Sequence, residues 1–178
     1  MSTPLSNTLS NPLSATRFTG LNNTVPTSSP TSWFARLLAT APRWDLLLLR
    51  VPVGITFAMH GAQKLFGWFG GYGLQGTAEF MGTLGVGPGM LLALLAGCAE
   101  FFGGLALVLG LLVRPAAAAL AFTMLVAWLT VHAGNGFFLA SNGFEYAFVL
   151  LATSLALCVG GGGRLSADGA LAGDGARS

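Results

Sequence analysis

Residues 89–112 read GMLLALLAGCAEFFGGLALVLGLL, an apolar run broken by a single ionisable residue, Glu100. A bilayer crossing needs about 20 predominantly apolar residues, so this stretch predicts a membrane-spanning helix. Lipid offers no hydrogen bonds to the backbone, and a helix satisfies its own amides. Three similar stretches flank it, at 45–66, 116–137 and 144–159. They are long and continuous, unlike the short alternating segments of a transmembrane barrel.

Composition points the same way. Hydrophobic residues make up 53% of the 178-residue chain and charged residues 8%, with a mean hydropathy of +0.71. A soluble domain carries about a quarter charged residues, so this chain could not cover itself against water. The net charge of +2 and the absence of basic runs exclude a nucleic-acid partner. Cys98 and Cys158 each lie inside an apolar stretch and form neither a CxxC motif nor a zinc spacing. The fold class expected is all-α: a four-helix transmembrane bundle preceded by a disordered leader.

Residues 1–32 are rich in Ser, Thr, Asn and Pro and bury too little apolar surface to offset ordering entropy. Residues 33–42 place Trp33, Phe34, Leu37 and Leu38 on one face, which predicts a short interfacial helix. Residues 67–88 form an outer loop with a short amphipathic helix from Gly76 to Leu84, and 160–178 a polar cytoplasmic tail. Arg36, Arg43, Arg114 and Arg164 flank the spans on one side of a four-span chain. The positive-inside rule then puts both termini in the cytoplasm, N-in and C-in.

The ionisable residues inside the spans carry the functional signal. Each costs about 2.5–3.5 kcal/mol even on the lenient insertion scale. They are Arg50, Lys64, Glu100 and Glu145, joined by His60 and His132. At about 1.5 Å per residue from the cytoplasmic helix ends, His60 lies at ~22 Å, Lys64 at ~28 Å, Glu100 at ~18 Å, His132 at ~24 Å and Glu145 at ~22 Å. Four helices thus contribute polar groups to one layer. His60 and Lys64, four residues apart, share a helical face, and Arg50 projects from nearly the same side but deeper. Glu100 and Glu145 are the natural counter-charges for Lys64 and Arg50, because unpaired charge in low dielectric is unfavourable. An ion-pair network that only fixes helix register is the competing structural reading. Bis-histidine haem ligation is disfavoured, since Lys64 and Glu100 would crowd a porphyrin with charge. A metal on His60, His132 and a glutamate is chemically reasonable, but spacing alone does not separate it from a hydrogen-bonded network.

These residues, in order, resemble the DoxX family of small bacterial membrane proteins. The likeness runs from about Leu46 to Leu171. It rests on Arg50, His60-Gly61 and Lys64, then Gly76-Thr77, Glu100 before Gly103-Gly104, and Gly110-Leu111 to Arg114. His132, Asn142-Gly143 with Glu145-Tyr146, and Gly163-Arg164-Leu165-Ser166 with Asp168 complete it. The resemblance implies a four-span bundle in the bacterial inner membrane and a link to quinone-dependent redox chemistry. Founding members are described as subunits of a thiosulfate:quinone oxidoreductase, others as partners in thiol and oxidative-stress systems. The function expected is a membrane subunit of a redox complex, with the lipid bilayer around it and a soluble or membrane redox protein as partner. Its polar layer would bind a quinone headgroup or a small anion. The alternative is a non-enzymatic scaffold or a conduit for a small anion.

Overall fold

A computed structural model describes residues 44–163 and 165–174. The expected leader and the interfacial helix at 33–42 lie outside the described residues. Helix α1 spans Trp44–Phe66, α2 Gly73–Thr83, α3 Gly89–Leu109, α4 Val113–Ala127, α5 Glu145–Gly160 and α6 Ala167–Asp174. The described residues are all-α apart from their connections.

Three of these helices are long and apolar enough to cross a membrane: Trp44–Phe66, Gly89–Leu109 and Val113–Asn135, the last including the turns that continue α4. Apolar α5 is shorter, at 16 residues. Large side chains such as Leu48, Phe102, Phe122 and Val159 are exposed around the bundle, as a lipid-facing surface requires. Inside, Phe57, Leu107, Val113, Leu120, Leu150 and Leu157 form the core.

Between membrane helices the apolar effect gives little drive, so close packing of small residues has to supply it. That is how α1 meets α3. A Cβ on Gly104 would lie 2.4 Å from Ala58 N, and one on Gly61 would lie 2.3 Å from Phe101 N. Only glycine allows the two backbones this near. The contact also fixes register, because Lys64 follows Gly61 by three residues and Glu100 immediately precedes Phe101.

Helix α3 ends at Leu109 rather than running on to 112, because Gly110 takes the left-handed conformation (φ 71°). Leu111 N then bonds to Ala106 O at 2.9 Å, a Schellman closure. The third apolar stretch does not continue as one α-helix to 137. After Ala127 it widens into a π-turn, Trp128–His132, followed by a 3-10 turn, Ala133–Asn135. Trp128 stacks on Phe144 with ring centroids 4.8 Å apart, which holds this irregular end against the start of α5.

The segment after residue 160 folds back onto the bundle instead of forming only a polar tail. Asp168, 1% exposed, accepts hydrogen bonds from Leu112 N at 2.7 Å and Val113 N at 2.9 Å. A carboxylate there satisfies orphan amides and complements the positive end of the α4 dipole.

Candidate functional site

The α1–α3 contact forms one wall of a cavity of about 620 Å³, which α2, α4 and α5 also line. Most of its lining is apolar, including Phe57, Leu92, Leu95 and Met124. Four of the six candidate residues reach it: His60 and Lys64 from α1, Glu100 from α3 and His132 from the π-turn. The lining thus combines a few polar groups with a largely apolar wall, the composition common in small-molecule pockets.

Lys64 Nζ lies 2.5 Å from Glu100 Oε2, with Glu100 3% and Lys64 29% exposed. Each charge is the other's compensation, so the cavity wall carries an ion pair and not a free cation. Lys64 retains further N–H donors beyond the one given to Glu100. The His60 ring faces that of Tyr146, centroids 6.0 Å apart. His132 Nδ1 is 2.9 Å from Asn142 O. Among the described residues, no three His, Cys, Asp or Glu side chains are grouped so as to hold a metal ion.

Arg50 and Glu145 are elsewhere. Arg50 is one of the most buried side chains, at 1% exposure. The expectation that a glutamate would be its partner is corrected by its contacts. Nη1 donates to Leu107 O (2.7 Å) and Val108 O (2.8 Å), and Nη2 donates to Leu165 O (2.6 Å). A helix C-terminus presents unpaired carbonyls and partial negative charge, which a guanidinium fork satisfies without a carboxylate. Arg50 and Lys64 are fourteen residues apart on α1, so about 21 Å of helix separates this contact from the cavity cluster. Glu145 Oε2 accepts a hydrogen bond from Leu139 N at 2.9 Å, bracing the loop before α5. It does not line the cavity.

Thr77 and Tyr146 also line the cavity and were not among the sequence candidates. Tyr146 stands four residues before Leu150, which faces the same space, so helical spacing carried a signal. Thr77 entered the sequence reading only as part of Gly76-Thr77; its hydroxyl donates to Gly73 O at 2.7 Å within its own helix.

A family model described as DoxX matches residues 46–133, which contain His60, Lys64, Glu100 and His132. A Bacillus subtilis (strain 168) protein named "Putative oxidoreductase CatD" is 33% identical over 122 residues, covering 68% of this chain and 83% of that protein. A Haemophilus influenzae protein, named only as uncharacterized, is 34% identical over 127 residues, covering 69% of this chain and 87% of its own length. No solved structure matches the chain. With its matched region covering α1, α3, α4 and most of the cavity's polar groups, the chain belongs to the DoxX family of membrane proteins.

Proposed function

We propose that this protein is the membrane-embedded subunit of a quinone-linked redox system, and that its cavity receives the quinone ring. The observation that carries this reading is a largely apolar cavity of about 620 Å³ into which His60, Lys64, Glu100 and His132 converge from three helices. Lys64 and a histidine would donate hydrogen bonds to quinone oxygens, while Glu100 provides a carboxylate through which protons can pass. The name of the Bacillus subtilis relative, an oxidoreductase, agrees with this assignment.

In this reading α5 is a fourth span, both termini face the cytoplasm, and the membrane is the bacterial inner membrane. Protons exchange on the outer side, and a redox partner protein supplies or withdraws electrons. The alternative of an anion conduit is weakened by the Lys64–Glu100 pair, which leaves no uncompensated lysine charge to attract an anion.

The test is extraction in mild detergent followed by chromatographic assay of bound quinone. Co-isolated ubiquinone or menaquinone is expected, with Glu100→Gln and His60→Ala lowering its occupancy. Quinone-free protein that also fails to bind added quinone rejects the assignment.

A further inference from the structure

The hydrogen bonding of His132 sets the polarity of the far side of the cavity. Asn142 takes the left-handed conformation (φ 59°). Its carbonyl receives two donors, His132 Nδ1 at 2.9 Å and Asn135 Nδ2 at 3.3 Å. Asn135 Nδ2 also donates to Val131 O at 3.1 Å, within the π-turn. The loop behind them is held by Gly143 N→Phe138 O (2.9 Å), Phe144 N→Gly136 O (3.0 Å) and Glu145 N→Phe137 O (2.8 Å). The Asn142 carbonyl is therefore a fixed part of the frame.

A carbonyl oxygen only accepts, so the Nδ1 that meets it bears the proton. In a neutral imidazole the other nitrogen is then a bare acceptor. We propose that His132 is held as the Nδ1–H tautomer with its Nε2 lone pair turned into the cavity, and that the site selects a ligand with an aromatic hydroxyl on an apolar body. This rests on the quinone-linked reading and deepens it: the hydroquinone form, not the quinone, satisfies His132. The two sides of the cavity then differ in character. Lys64 offers N–H donors from α1, and His132 offers an acceptor from the π-turn. A ring oxygen that only accepts suits Lys64 and leaves His132 unmatched. A ring hydroxyl suits both, donating to Nε2 while its own oxygen, or the oxygen across the ring, accepts elsewhere. The inference concerns recognition, and no electron transfer is assigned to His132.

Equilibrium binding of three probes to the purified full chain tests this: a decyl benzoquinone, its hydroquinone, and the dimethyl ether of that hydroquinone. The hydroquinone is expected to bind about 10-fold more tightly than the ether, the scale of one well-placed hydrogen bond. His132→Phe should bring that ratio to about one. Independently of any variant's folding, nitrogen NMR of 15N-histidine-labelled wild-type protein should find the His132 proton on Nδ1. The chain has two histidines, so the spectrum is small enough to assign. Equal affinity for all three probes, a ratio unaltered in His132→Phe, or a proton on Nε2 overturns the inference while leaving quinone binding in place. Failure of all three probes to bind removes the quinone-linked reading and this inference together.

Discussion

Asp168 accepts the backbone N–H of Val113 across 55 positions of sequence, and the carbonyl three residues before it, Leu165 O, is gripped by Arg50. The α3–α4 turn is thus held from both sides, its carbonyl end by a cation and its amide end by an anion. Asp168→Ala removes two charge-assisted bonds and is expected to destabilise the protein by about 2 kcal/mol. Thermal unfolding in detergent measures this, and an unchanged midpoint would show the contact to be dispensable.

Arg50→Lys tests whether the fork itself matters. A lysine ammonium is compact and cannot reproduce planar donation to Leu107, Val108 and Leu165 carbonyls. A loss of about 1–3 kcal/mol is expected. Quinone occupancy per folded molecule should stay at the wild-type level, because Arg50 is remote from the cavity. A selective loss of occupancy at normal stability would return Arg50 to the binding site.

Breaking the ion pair should behave non-additively. Lys64→Met strands the Glu100 carboxylate, which is 3% exposed, and is expected to cost about 3 kcal/mol. The double variant Lys64→Met with Glu100→Met should recover much of that stability while still failing to bind quinone. A double-mutant cycle gives the coupling, and simple additivity would mean that the pair is not a unit.

Gly61→Ala places a methyl group against the Phe101 backbone, where a Cβ would lie 2.3 Å from N. The helices must part, at a cost of about 1–3 kcal/mol. Because the same contact sets Lys64 beside Glu100, quinone occupancy should fall as well. Retained occupancy would show that the pair forms without this close packing.

The apolar helices, and the need of Lys64 for a glutamate counter-charge, were legible in the sequence for a common reason: lipid penalises exposed backbone and unpaired charge so heavily that few arrangements remain. Arg50 was legible as buried but not as to its partners. Main-chain carbonyls at a turn leave no mark in composition, so a carboxylate was the only acceptor that side-chain arithmetic could supply. Asp168 stood in view, yet the segment around it was read as a tail, since its role depends on a fold-back that local pattern does not encode. The π-turn at Trp128–His132 escaped notice because its apolar pattern does not differ from that of the α-helix before it, and its contacts with the Asn142 loop and Phe144 lie far along the chain.

With backbone pressed on backbone at Gly61 and Gly104, α1 and α3 cannot slide past one another without first separating. They act as one stiff plate bearing His60, Lys64 and Glu100. Lys64 and Glu100 therefore keep a spacing set by main chain and not by side-chain packing.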